Sequence, residues 1–207
     1  MSNKPLGLRE RNRIRTRDDI LHAMSTLLGE SAYENISIDD IAKRAGVSRG
    51  TIYTYFPDGR DQLVRDAYLQ ISTAVSNDGT ARRERCTGFT DRIVAVATAF
   101  ATVAATPEGR FYGAMGAGTI GPLNGVTGTA SSLFLRHITA DVKQAKADGL
   151  LDSPADTEDL ALLLSGSLRE IGLAVSRDPS RAESLLSALR ISCDRMLRQD
   201  KEHVEQS

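Results

Sequence analysis

Apolar positions recur along this chain at helical spacing. Ile20, Leu21, Met24, Leu27 and Leu28 fall on one stripe, and Thr16, with Asp19 three residues on, marks its start as an N-cap. Ser37 opens a second, short helix, with Asp40 at the capping-box position and Ile38, Ile41 and Ala45 turned inward. Ser48 opens a third, which must stop near Phe56 because Pro57 disfavours helix in the residue before it. Asp58 is placed to cap a fourth, carrying Leu63, Val64, Ala67, Tyr68, Ile71 and Val75.

Residues 77–88 are polar and read as a loop. Beyond them Phe89, Ile93, Val96, Ala97, Phe100 and Val103 form another long stripe. Glycines at 109, 113, 116, 118, 121, 125 and 128 make the next stretch bent or irregular. A long helix follows over 129–148, ended by Gly149. Ser153, with Pro154 at the first helical position, opens the next, whose stripe runs through Leu160, Leu163, Leu164, Leu168, Ile171 and Val175. Asp178-Pro179 repeats that start signal before Leu185, Leu186, Leu189, Cys193 and Met196. No alternating strand pattern appears, so the expected fold class is all-α, with about nine helices.

Composition narrows the class without naming a function. Across 207 residues, 41% are hydrophobic and 26% charged, which excludes disorder as the main story. Two cysteines, Cys86 and Cys193, suit a reducing cytosol better than a disulfide scaffold. The apolar run 93–106 is too short to cross a bilayer, which needs about 20 residues. No charged start leads into an apolar core, so a signal peptide is not expected, and the localisation read is cytoplasmic. A net charge of −1 hides a basic front: Lys4, Arg9, Arg11, Arg13, Arg15 and Arg17 are opposed only by Glu10. Such an arm suits a polyanion, and it equally suits a solvated, frayed terminus.

The chemistry lies in residues 37–56, which have helix-turn-helix spacing. Ala42 is small where two helices must cross, and Gly46 falls four residues later, where the tight turn needs positive φ. Ile52, six further on, faces back onto Ile38 and Ile41. A generic helical corner shares those needs, but it does not need the outward face found here. That face carries Arg49, Gly50, Thr51, Tyr53, Thr54 and Tyr55, polar and aromatic groups suited to phosphates and base edges.

Over about residues 16–64 the sequence resembles the TetR family of bacterial transcription regulators. The likeness rests on Arg17-x-x-Ile20-Leu21-x-Ala23 and on Ser37-Ile38-x-x-Ile41-Ala42-x-x-Ala45-Gly46-Val47-Ser48-x-Gly50-Thr51-Ile52-Tyr53-x-Tyr55-Phe56-Pro57. It implies a DNA-binding domain over 1–57 with a basic N-terminal arm, a connecting helix over 58–77, and a ligand-binding and dimerisation domain over 78–207. The family usually continues Phe-Pro-Ser-Lys, whereas here Phe56-Pro57-Asp58-Gly59-Arg60 carries an extra residue and no lysine. Arg60 is therefore the candidate to reach a phosphate in place of that lysine, with Asp58 and Asp61 opposing it. Ser37 and Ser48 join the expected DNA contacts as helix-start donors, Arg49 as the best base reader, Thr51, Tyr53 and Thr54 beside it, and Tyr55 as a phosphate contact. Arg13 and Arg15 are further candidates, for a flanking minor groove.

Partners expected from the resemblance are a double-stranded DNA operator, a second copy of the chain and a small-molecule effector. Leu164, Leu168, Ile171, Val175, Leu185, Leu189 and Met196 are the expected dimer face, since a lone helix-turn-helix reads one half-site. Phe100, Phe111, Tyr112, Met115, Phe134, His137 and Arg169 are the expected ligand lining. Each of those is by itself an ordinary core or surface residue, and they carry weight only as a group. The low aromatic content speaks against a cage for cationic drugs and for a mid-sized, apolar or neutral ligand.

Other signals are weaker. Residues 116–121 match the dinucleotide string G-x-G-x-x-G, but no strand precedes them and Pro122 follows. His22, His137 and His203 lack metal-ligand spacing, so no metal and no cofactor is expected. A thiol switch at Cys86, flanked by arginines, is weighed against a plain exposed cysteine. The reading is a homodimeric repressor released from a palindromic operator by an effector, and not an enzyme. An activator or ligand-independent DNA binder stays open beside it, as does, more remotely, an enzyme using the C-terminal cavity.

Overall fold

A computed structural model describes residues 7–114, 120–151 and 153–197. Among them are nine α-helices and no strand pairing beyond one isolated bridge between Leu151 and Leu197. They are α1 Leu8–Glu30, α2 Ile38–Ala45, α3 Arg49–Tyr55, α4 Arg60–Glu84, α5 Phe89–Ala104, α6 Arg110–Ala114, α7 Thr129–Ala147, α8 Thr157–Arg177 and α9 Ala182–Met196. Short 3₁₀ turns sit at Tyr33–Asn35, Gly121–Leu123 and Pro179–Arg181. No described helix is long and apolar enough to cross a membrane.

The expected stripes build the core. Ile20, Leu21 and Met24 of α1 are fully buried with Ile41, Ile52, Phe56, Leu63 and Val64. α4 then carries Ala67, Tyr68 and Val75 on into the same continuous core, with Ile93, Val96 and Ala97 of α5, Ile138 and Val142 of α7, and Leu168 and Val175 of α8. One 25-residue helix thus belongs to both halves of the molecule.

Helix ends depart from the sequence reading in four places. Thr16 does not start α1: the helix begins after Gly7, and the Thr16 hydroxyl donates to the Asn12 carbonyl from inside it. The basic stretch Arg9–Arg17 is helical because arginine is a good helix former. From Gly7 onward it is no extended arm, and Lys4 lies outside the described residues. Asp58 does not cap α4. Gly59 does, at φ 66°, a left-handed conformation that costs other residues strain. Residues 77–84 are not loop but the end of α4, where Asp78 and Arg82 pair one turn apart at 2.7 Å. Connecting helix α4 therefore runs past the expected boundary at residue 77. Finally, Asp156 rather than Ser153 caps α8, its carboxylate accepting from the Glu158 and Asp159 N–H groups.

Candidate nucleic-acid interface

α2 is fixed at both ends by its own sequence. Ser37 and Asp40 exchange hydrogen bonds in a complete capping box, Ser37 N–H to Asp40 Oδ2 at 2.9 Å and Asp40 N–H to Ser37 Oγ at 3.2 Å. Those bonds hold the Asp40 carboxyl below its ordinary pKa, with the Ser37 hydroxyl the largest cause. At the other end Gly46 stands at φ 68°, and the Val47 N–H reaches the Ala42 carbonyl at 3.0 Å. The chain then turns straight into α3, where the Ser48 hydroxyl accepts from the Thr51 N–H at 3.0 Å.

Ile52 is fully buried, so α3 is anchored by its middle. Its outer face presents Arg49, Gly50, Tyr53 and Thr54 to solvent, with Thr51 and Tyr55 half-buried. Arg49 rests against Asp39 of α2, Nε to Oδ1 at 3.2 Å, both side chains being mostly exposed. That pair is weak in water, and the guanidinium is free to exchange it for a polyanion. Thr54 returns its hydroxyl to the Gly50 carbonyl, and Ser48 and Thr51 share a 2.8 Å contact between hydroxyls.

Arg60 is placed otherwise than expected. Its guanidinium turns inward over the Tyr33 ring, 4.2 Å from the centroid, and donates to the Ile36 carbonyl at 2.8 Å. Tyr33 in turn donates to Asp61, and burial first and that bond second push its hydroxyl pKa up. Arg60 thus closes the α1–α2 corner. Arg13 and Arg15 stand on the exposed face of α1, Arg15 near Asp19, and a helix cannot thread a minor groove as an extended arm does. Arg17 ties α1 to α4 through Asp66 at 2.8 Å and lies over the Phe56 ring.

In the second half, four of the expected lining residues meet. Phe100, Tyr112 and Arg169 line a recess of 210 Å³, and with Phe134 they also border a much smaller cavity of about 10 Å³ beside it. Tyr68 and Ser131 of the recess, and Ser165 and Leu168 of the smaller cavity, were missed by the sequence reading, because each sits on a helical stripe that also reads as core. Phe111 is buried outside this recess. His137 is also outside it, near Arg83 and Asp141. Met115 lies outside the described residues, as do residues 116–119 of the glycine string.

The expected dimer face is split. Leu164, Leu168, Ile171, Val175 and Leu189 are buried within their own chain, and Leu164, Ile171 and Leu189 also line a groove between α8 and α9. Apolar surface left open by α8 and α9 is carried instead by Leu162, Leu163 and Ile191, 52%, 71% and 58% exposed. Leu185 and Met196 line that groove together with Leu163, Ala174 and Ala188. Leu163 was legible as part of the α8 stripe but was not assigned to the outer side.

Asp141, 3% exposed, is gripped by Arg83 of α4 at 2.8 and 2.6 Å and by Arg92 of α5 at 3.1 Å. Cys86, half-buried, donates its thiol to the Arg82 carbonyl, and burial pushes the Cys193 thiol up to about 11. Among the described residues no three His, Cys, Asp or Glu side chains are grouped to hold a metal ion.

Residues 20–67 match the family described as bacterial regulatory proteins, tetR family. The HTH-type transcriptional regulator EthR of Mycobacterium tuberculosis is 36% identical over 72 residues, covering 31% of this chain and 33% of EthR. The match therefore spans about a third of the length of that curated relative. A TetR transcriptional regulator from Chloroflexus aurantiacus superposes with a TM-score of 0.73 at 21% identity, over 91% of this chain and 98% of its own. FadR from Bacillus subtilis, solved in complex with stearoyl-CoA, gives 0.68 at 16% identity over 83% and 96%. At such identities the two structures speak for a shared fold.

Proposed function

We propose, from the match of residues 20–67 to the tetR family of bacterial regulatory proteins, that the chain is a homodimeric transcription repressor of that family, released from a palindromic operator when a small molecule fills the recess. The exposed face of α3, with Arg49 and Tyr53 leading, enters the major groove, while the Ser37 and Ser48 helix starts, and Tyr55, meet phosphates. A second copy packs across α8 and α9 through the open apolar groove, setting two α3 helices at half-site spacing.

One observation carries the effector half of this reading. α4 starts five residues after α3 ends, and the same helix lines the recess with Tyr68, whose hydroxyl accepts from the Gly128 N–H at 3.2 Å. From Arg60 to Gly79 that helix spans about 28 Å. A ligand that displaces α4 by its wall must carry the α3 end with it. FadR from Bacillus subtilis has been solved with stearoyl-CoA. A recess of 210 Å³ suits a much smaller molecule.

Binding of the purified chain to DNA upstream of its own gene, followed across a salt series with the solution mass, tests the proposal. Tight, salt-sensitive protection of a palindrome by a dimer supports it. Weak binding, equal for every sequence tried, counts against it.

A further inference from the structure

From the chemistry of the recess we infer that its ligand is a small organic monoanion, a one-ring or short-chain carboxylic acid. Its carboxylate lies at Arg169 and its apolar body against Phe100 and Tyr112. The inference rests on the effector reading above and narrows it, and it departs from the neutral ligand expected from composition.

Charge comes first. Among the described lining residues Arg169 is the one formal charge, and no carboxylate faces it. Arg17, Arg44, Arg83 and Arg190 each hold an Asp or Glu within 2.8 Å, whereas Arg169 has no acidic partner among the described residues. The start of α7 adds to that field. Gly128 caps it at φ 94° with no side chain on the first amides, and Gly128 and Ser131 line the recess, with Ala130 at the smaller cavity beside it. Unfilled N–H groups at the positive end of a 19-residue helix favour an anion.

Hydroxyl groups point the same way. Some helical serines return their protons to the carbonyl one turn back, as Ser25, Ser167 and Ser192 do, and others, such as the buried Ser72, do not. Ser165 is among the latter: it is 4% exposed, lines the small cavity beside the recess and makes no hydrogen bond among the described residues. Tyr68 accepts from Gly128, and its hydroxyl is also hydrogen-bonded with that of Tyr112. A carboxylate uses a donor such as Ser165, and a cationic or purely apolar ligand would leave it unmet.

Size sets the limit. A dry cavity of about 150 Å³ holds one benzene ring. The 210 Å³ here admits one ring or a short chain plus a carboxylate. Phe100 meets the Tyr112 ring edge-on at 5.6 Å, and Tyr68 meets it at 5.0 Å, an aromatic wall suited to that body.

The test titrates the full-length chain with benzoate, phenylacetate and hexanoate, each against its primary amide, by calorimetry and thermal shift at constant ionic strength. At least one acid is expected to bind about tenfold or more tighter than its amide, the step a charge-assisted hydrogen bond supplies. Arg169→Gln, at an exposed position, should erase that gap without lowering the melting temperature of the free protein. Equal binding of acid and amide, a gap that survives R169Q, no binding by any acid, or the same shift with sulfate alone each overturns the inference. Operator binding separates the two readings. Release by an amide that occupies the recess keeps the effector reading and sinks the acid. An Arg169-dependent acid that never alters DNA binding does the reverse.

Discussion

The Phe134 ring fills the space where Gly79 has no side chain: a β-carbon on Gly79 would stand 2.7 Å from Phe134 Cζ. Phe134 also lines the small cavity beside the recess, so its ring touches both that cavity and the connecting helix. Gly79→Ala is expected to overpack this crossing and lower stability by about 1–3 kcal/mol. Phe134→Leu in the same chain should return part of that loss. A double-mutant cycle by urea denaturation reads the coupling, and strict additivity would show that the two residues do not press on each other.

Gly46 makes a different kind of prediction. Nothing lies within 4 Å of a β-carbon built there, yet its φ is 68°. Gly46→Val therefore costs only backbone strain, about 1–2 kcal/mol, and Gly46→Asn less. Equal melting temperatures for the valine and asparagine variants would contradict this. Operator affinity should fall with the same order, because the turn aims α3.

Arg49→Ala should relax preference at one base pair by about 1–3 kcal/mol and leave the others. Asp39→Asn, which frees the guanidinium from its 3.2 Å partner, should strengthen binding to all sequences. Binding-site selection on the two variants reads both. An unchanged preference in Arg49→Ala would remove it from base reading.

Asp141→Asn removes the charge that holds two guanidinium groups together. With Arg83 18% and Arg92 32% exposed, solvent relieves only part of their repulsion. A loss of about 3 kcal/mol is expected in thermal or urea unfolding. A variant as stable as the parent would mean that water, not Asp141, neutralises the pair.

Little of this cluster was legible in the sequence, and the reason is range. A capping box spans three residues and a helix-turn-helix ten or so, so Ser37, Gly46, Ser48 and Ile52 declare their places locally. Asp141 meets Arg83 across 58 positions, and no local rule connects them. The direction of Arg60 was hidden for a related reason: the family resemblance offered it as a phosphate contact, while the Tyr33 ring, 27 residues back, draws its guanidinium inward. In the second half the stripes marked which helices pack, but every inward position looks alike until neighbours are known. Ser165 and Leu164 therefore could not be told apart as cavity lining and core. The outer apolar surface, Leu162, Leu163 and Ile191, was hidden because exposure is a property of the assembled layers.

His137 gives the pH dependence. Its Nδ1 is buried without a partner, and burial first, then the charge of Arg83, lowers its pKa below the ordinary 6.5. Asp141 and Glu84 pull the other way and Arg136 adds to the lowering. The unfolded chain takes up this proton near 6.5 while the folded one resists, so stability falls as pH drops through that value and levels off below the folded pKa. Melting temperatures between pH 5 and 7.5 should show the slope, and His137→Gln should flatten it. An identical slope in the variant would assign the effect to other groups.

Ile52 is the only residue of α3 buried in the hydrophobic core. The side chains that face outward from that helix therefore contribute almost nothing to keeping it folded, and those that hold it in place do not face outward. On the proposed reading, recognition can drift from one operator to another by exchanging Arg49, Tyr53 or Thr54 while the scaffold stays intact. Related chains can then share this architecture and control unrelated genes, each separated from its neighbours by a few surface substitutions.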